Sequence, residues 1–199
     1  DQEAIGLWGE QAGGLGERVT GMRQYYVDLI NTQLSSTLEK LSPELNITLR
    51  HEPGWRGDSL ANEMRQHAPR DVKLRSTQAG PHRADVRIEI APESTQTVPR
   101  PAAQVLSRGQ GKVVASAMKL VQAQHLSSAM EQPSLFLIDD AGAELDEEHR
   151  DRFFGMLRDQ NYQILATTTD SDWLLGAYPI TRVAMFHVKH GHIEPTDQN

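Results

Sequence analysis

The 199 residues are 38% hydrophobic and 24% charged, with a formal charge of −7 at neutral pH and no cysteine. These proportions suit a water-soluble chain with one sizeable core and exclude a disulfide framework and thiolate metal sites. No apolar run approaches the roughly 18 residues of a membrane span, so the expected address is the cytoplasm, with no membrane partner.

The charge is unevenly spread. About six of the net negative charges fall between Glu131 and Gln160, whereas Arg100 to His125 holds Arg100, Arg108, Lys112 and Lys119 and no acidic residue. A local basic surface is therefore compatible with the acidic total. The chain opens at Asp1 in a Gly-rich stretch with no secretory leader pattern, and it reads as a piece of something longer.

Leu15, Val19, Met22, Tyr26, Ile30, Leu34, Leu38 and Leu41 recur at steps of three and four, which predicts a long amphipathic helix ending before Pro43. Its stripe needs a partner, and the Gly-broken segment before it is short, so a partner helix from upstream is expected. Leu45, Ile47 and Leu49, and again Val86, Ile88 and Ile90, alternate with polar residues as half-buried strands do. Asp58 or Ser59 is suited to cap a short helix running through Met64. Pro92 to Pro101 reads as a surface loop.

Beyond it the pattern predicts a helix from about Gly109 to His125, an apolar strand Leu135–Ile138 and a helix Glu147–Asp159. A strand Gln163–Thr167, a short helix and a strand Val183–Val188 follow, and the chain then turns back through Ile193. Such alternation implies an α/β layered sheet with flanking helices. There is no internal repeat and no low-complexity segment.

Leu106-Ser107-Arg108-Gly109-Gln110, directly before the apolar helix, matches the LSxGQ signature of ABC-type ATPases. A helix N-terminus offers unpaired amides and a positive dipole end, to which Ser107 adds a hydroxyl, while Gly109 lets the backbone come close to a phosphate. Helix capping by Ser107 is the plainer explanation of the same residues. About thirty residues on, Leu135 to Ile138 run into Asp139-Asp140 in the manner of a Walker B motif. Asp139 is then the candidate Mg²⁺ ligand and Asp140 the candidate base for an attacking water, in the position where most ABC proteins have glutamate. Ordinary turn chemistry is the alternative for Asp-Asp-Ala-Gly. Ala143-Glu144-Leu145-Asp146 resembles the D-loop, and Asp146 is also a good N-cap.

Gly80-Pro81-His82-Arg83-Ala84-Asp85 ahead of LSRGQ, then LFLIDDxxxELD and a closing Val-Lys-x-Gly-x-Ile hairpin, narrows the resemblance to the RecF family. The chain looks like a RecF protein from the middle of its helical arm to its C-terminus: residues 1–44 the end of the arm, 45–199 the C-terminal part of the ABC-type ATPase head. The resemblance implies an ATP- and Mg²⁺-dependent homodimer that binds DNA at gaps and single-strand/double-strand junctions, works with RecR and RecO, and helps load RecA. Ser107, Arg108, Gly109 and Gln110 would contact ATP held by the opposite subunit, Asp139 and Asp140 the ATP of their own, and Asp146 would lie at the dimer seam. Leu165-Ala166-Thr167-Thr168-Thr169 lacks the histidine many ABC proteins carry there, which leaves Thr167 as the candidate γ-phosphate sensor. No GxxxxGK[ST] occurs in the 199 residues, so the chain alone is expected to bind no nucleotide and to be inactive.

Two other readings compete: a catalytically silent scaffold that holds DNA or a RecR-like partner, and a head from another ABC-type DNA-associated protein such as a structural-maintenance-of-chromosomes ATPase. For the scaffold, Arg50, Arg56, Arg65, Arg70, Lys73 and Arg75 are candidate phosphate contacts, although Glu52, Asp58, Glu63 and Asp71 interleave with them as on a solvated face. His187, His190 and His192 lack cysteine or carboxylate company and read as surface imidazoles rather than a zinc site. Trp8, Trp55 and Trp173 are too scattered to suggest a stacking platform.

Overall fold

A computed structural model describes residues 2–91 (side chains from Trp8 onward), 98–142, 145–170, 173 and 183–195. The chain divides into two compact units, Asp1–Gln122 and Ala123–Asn199. The first holds helix α1 (Gln2–Leu41), strand β1 (Ile47–Glu52), helix α2 (Leu60–Leu74), and strands β2 (Asp85–Ile90) and β3 (Arg100–Pro101). Helix α3 (Arg108–Met130) runs through the division. Strand β4 (Leu135–Ile138), helix α4 (Glu147–Asp159), strand β5 (Gln163–Ala166) and strands β6 (Phe186–Lys189) and β7 (His192–Pro195) belong to the second. The boundary expected between residues 44 and 45 lies inside the first unit.

Helix α1 is longer than its apolar stripe predicts, because the Gly-rich stretch is helical rather than a break. Its glycines are a packing surface. A Cβ added at Gly13 would sit 2.6 Å from the Ala61 Cβ, and one at Gly16 would sit 2.5 Å from the Leu60 Cδ2, so α2 approaches α1 at backbone distance. Only the later part of the stripe is buried: Ile30, Leu34, Leu38 and Leu41 are covered, while Leu15, Val19, Met22 and Tyr26 stay exposed and Val27, outside the stripe, is buried instead. The buried half meets β1, whose Ile47, Leu49 and His51 alternate inward against exposed Thr48 and Arg50. Asn31 closes the free edge of β1, donating to the Leu49 carbonyl and accepting from the Leu49 amide, each at 2.8 Å. Unpaired edge groups are thereby satisfied without another strand.

Ser59 caps α2 by accepting from the Asn62 amide, and the helix continues past its expected end at Met64, through Pro69, to a left-handed C-cap at Arg75. One lost backbone hydrogen bond does not end a helix that is packed along its side. Strand β2 pairs antiparallel with β1, Leu49 facing Ile88, and β3 adds a short third strand from residues expected to be loop. Residues 92–97 of that loop lie outside the described residues.

In the second unit β4 and β5 are parallel, Leu135 beside Gln163 and Ile138 beside Ala166. Phe136 on β4 meets Phe153 of α4 and Tyr162, with ring centroids 6.5 and 5.2 Å apart. Burial pushes the Tyr162 hydroxyl above its ordinary pKa. The Ser134 amide donates to the Ser127 hydroxyl at 3.0 Å, tying the end of α3 to the start of β4. Strand β6 begins later than expected, at Phe186, and pairs with β7 around a left-handed His190-Gly191 turn. The expected short helix after β5 falls on residues outside those described, apart from Trp173. The chain is an α/β mixture of helices and sheets, as its sequence predicts. No helix among the described residues is long and apolar enough to cross a membrane.

Candidate active site

Parallel strands deliver their C-terminal ends to one edge, where side chains on the following turns converge. At that edge of β4 and β5, Asp139 and Asp140 follow β4 and Thr167 follows β5. The Thr167 hydroxyl donates to Asp139 Oδ1 at 2.6 Å and accepts from the Asp140 amide at 2.9 Å. Backbone bonds brace the same corner: the Thr167 amide donates to the Ile138 carbonyl and the Ala141 amide to the Thr167 carbonyl, both at 2.9 Å. Three of the sequence-predicted residues are thus joined by one hydroxyl. Asp139 and Asp140 are both solvent-exposed.

Asp140 has a backbone φ of 48°. Among the described residues, the other non-glycine positive-φ positions, Arg75, Glu131, Asn161 and His190, end a helix or turn a hairpin. Asp140 alone lies in a turn that leads from a strand toward a helix. Aspartate tolerates the left-handed region better than most residues, and such strain gathers at functional sites. Thr167 therefore fixes both the orientation of one carboxylate and the backbone that carries the other.

The carboxylate oxygens suit a hard cation, and no group of three or more His, Cys, Asp or Glu residues that could cage a metal occurs among the described residues. Magnesium ordinarily takes one or two carboxylates plus phosphate oxygens and water rather than an all-protein cage, so this donor set fits it.

Of the D-loop-like segment, Ala143 and Glu144 lie outside the described residues. Asp146 caps α4: its Oδ1 accepts from the His149 amide at 3.0 Å, and its Oδ2 lies 2.7 Å from His149 Nδ1. The His149 backbone bond, then its ring, hold the Asp146 carboxyl below the ordinary carboxylate range. His149 was not singled out from the sequence, although Asp-x-x-His at a helix start is the spacing that carries it. Also missed was the packing behind the site. Trp173 stacks edge-on to Phe154 at 5.0 Å, with the Arg150 guanidinium 4.5 Å from its ring centre.

The signature residues belong to the first unit. Ser107 Oγ accepts from the Gln110 amide at 3.2 Å, and Gln110 Oε1 accepts from the Ser107 amide at 3.0 Å. This reciprocal capping box satisfies two end groups of α3. Ser107, Arg108 and Gly109 are exposed, Gln110 half-buried, and the first turn carries no acidic residue. A Cβ added at Gly109 would meet nothing nearer than Ser107 Oγ at 4.0 Å. The fold itself does not require glycine there. An open, cationic helix start whose glycine has no packing reason is suited to a close-approaching anion.

No family model matches the chain. The DNA replication and repair protein RecF of Azotobacter vinelandii is 34% identical over 198 residues, and that of Pseudomonas paraeruginosa 32%; each match covers 98% of this chain and 52% of the relative. Among solved structures, the recombination mediator protein RecF-ATP of the RecFOR pathway superposes with a TM-score of 0.70 at 21% identity, over 98% of this chain and 52% of its own. An SMC head bound to the C-winged helix domain of ScpA gives 0.56 at 15% identity, covering 96% of this chain and 48% of its own. The fold is that of part of an ABC-type ATPase head. Along nearly its whole length the chain is similar in sequence and in fold to RecF proteins, and it spans about half the length of the curated relatives it matches.

Proposed function

We propose that this chain is the part of a RecF-type DNA replication and repair protein that brings the carboxylates to an ATP held by its own subunit and the signature helix to an ATP held by a second copy. The observation that carries the reading is the Thr167 hydroxyl clasping Asp139 and the Asp140 amide at the ends of two parallel strands. The open start of α3 supports it. The assembled protein is an ATP-dependent dimeric clamp on gapped DNA and single-strand/double-strand junctions in the cytoplasm, with RecR as its partner and RecO and RecA in the same pathway. Residues 1–44 end its helical arm and 45–199 belong to its head.

In this reading Asp139 is the magnesium ligand, its Oδ1 aimed by Thr167. Magnesium held there would neutralise charge on the phosphate oxygens. Asp140, fixed by its backbone, accepts a proton from the attacking water. Thr167 senses the γ-phosphate by sharing its hydroxyl between Asp139 and phosphate oxygen. Ser107 and the amides beside Gly109 bind the γ-phosphate of the opposite copy, with Arg108 and Gln110 flanking it, and Asp146 lies at the seam. The loop that grips the phosphates comes from outside these 199 residues, where no GxxxxGK[ST] occurs.

The test is ATP turnover by the protein assembled with a phosphate-gripping half from a relative. Asp140→Asn should lower turnover by about 10²-fold or more, the contribution expected of a general base. Unchanged turnover would overturn the assignment, and so would tight ATP binding by the 199 residues alone.

A further inference from the structure

An open cleft of about 1110 Å³ lies in the first unit between α2 and the antiparallel β1–β2 pair, and the loop Pro53 to Gly57 forms one lip. Trp55 and Arg56 sit at the tip of this loop, and two glycines fix its course. Gly54 has φ 85°, and a Cβ there would fall 2.4 Å from the Gly80 carbonyl oxygen and 2.6 Å from the Ala84 amide nitrogen. The Gly80 amide in turn donates to the Gly54 carbonyl at 3.1 Å. The Gly80-Pro81-His82-Arg83 segment is thus the anchor of the Trp55 loop.

Three of these four residues have a structural task. Gly80 backs Gly54. Pro81 packs over Gly16 and accepts from Arg23 Nη1 at 2.7 Å, and His82 Nε2 lies 3.0 Å from the Thr77 carbonyl oxygen. Arg83 has none: it is exposed on the cleft wall, its guanidinium reaching only the Gln78 amide oxygen at 3.4 Å.

The charges on the wall do not cancel. Glu52 is held by Arg87 at 2.6 Å and approached by Arg50 at 3.6 Å, and Arg50 also reaches Glu89 at 3.1 Å. Glu63 accepts the Arg56 amide at 2.6 Å. The guanidiniums of Arg56, Arg70 and Arg83 have no carboxylate within ion-pair distance among the described residues, and the wall sets these three cations against two carboxylates without an ion pair, Asp58 and Glu63.

We infer that this cleft holds a strand of single-stranded nucleic acid, with Arg56, Arg70 and Arg83 on its phosphates and Trp55 stacked on a base. Unpaired guanidiniums around a half-buried indole are the chemistry that binds an unpaired strand without reading its sequence. The inference rests on the DNA-binding part of the proposed function and gives it a location.

Fluorescence anisotropy with a labelled oligothymidine of about 15 nucleotides, titrated across about 50 to 200 mM salt, tests it on the 199-residue chain. Arg56→Ala, Arg70→Ala and Arg83→Ala should each weaken binding several-fold and lower the salt slope by about 0.7, the value for one phosphate contact on a single strand. Arg83→Lys should restore most of the slope, which separates lost charge from lost folding. Trp55→Leu should cost about tenfold on the single strand and less on a matching duplex. Arg65→Ala, which removes an arginine paired with Glu10 outside the cleft, should leave both readings unchanged. Absence of binding by the unaltered chain would overturn this inference and leave standing the DNA part of the proposed function, which concerns the assembled dimer. Binding that the cleft variants leave intact in affinity and slope would overturn the cleft alone.

Discussion

Strand β1 in the first unit turns Ile47, Leu49 and His51 onto α1 and leaves Thr48 and Arg50 in water, so its apolar side chains and its cover match. Strands β4 and β5 in the second unit carry apolar residues on both faces. Phe136, Ile138, Ile164 and Ala166 are half-covered, while Leu135, Leu137 and Leu165 on the opposite face are 55, 71 and 64% exposed. Parallel strands are ordinarily buried on both sides and read as continuous apolar runs. The sequence of β4 is therefore written for a cover that the described residues do not supply, whereas that of β1 is written for α1. An exposed row of leucines of this kind marks a surface meant for association.

The largest test of that contrast is a pair of leucines. Leu34→Ala, at a fully buried position on α1, should cost about 3 kcal/mol of unfolding free energy in a urea titration, the usual range for a packed leucine. Leu137→Ser, on the uncovered face, should stay within about 0.5 kcal/mol and should reduce self-association in sedimentation. Equal destabilisation by the two would mean that the β4 face is covered in solution.

Two glycines sharpen the comparison at the next magnitude. Gly54→Ala must hold a positive φ and drive a Cβ into the Gly80 backbone, so it should destabilise by about 1–3 kcal/mol. Gly109→Ala meets open space at the start of α3, and a helical glycine replaced by alanine should gain about 0.5–1 kcal/mol. If the proposed function holds, the same variant impairs ATP-dependent pairing of the assembled protein, so that stability and activity move in opposite directions. A destabilised Gly109→Ala chain would show that glycine serves the fold there.

Legibility from sequence follows the same physics. Helix α4, its Asp146 cap, β4 and the Asp139-Asp140 turn were readable because each combines a period with a local capping or turn residue. The course of α1 was not. Glycine usually signals a break, and only the tertiary approach of Leu60 and Ala61 turns Gly13 and Gly16 into contact points. The sequence pattern ends helix α2 near Met64, because nothing local shows that packing carries a helix past Pro69. Thr167 was readable as a candidate by position. Its hydrogen bonds to both halves of the Asp pair were not, because they join residues 28 and 27 positions apart. The Trp55 cleft was hidden for the same reason, since Gly54 and Gly80 meet only in the fold.

The smallest expected effect concerns the start of α4, on the covered side of the second unit. Asp146 is highly exposed, yet its carboxylate accepts both the His149 amide and ring, and its folded pKa is lowered. A lowered carboxyl pKa contributes stability that is complete above the unfolded value of about 3.9 and is lost as the pH falls through the folded value. Solvent screening keeps that charge contribution to a fraction of about 1 kcal/mol. Asp146→Asn retains an acceptor at the cap, so at neutral pH it should lie close to the unaltered chain, with a flatter decline of the urea midpoint in acid. Asp146→Ala removes the acceptor and should cost about 1 kcal/mol at neutral pH. If asparagine instead falls as far as alanine, the ionic contact with His149, rather than the capped amide, holds this turn, and α4 depends on the charge of its first residues more than on the aromatic packing beneath it.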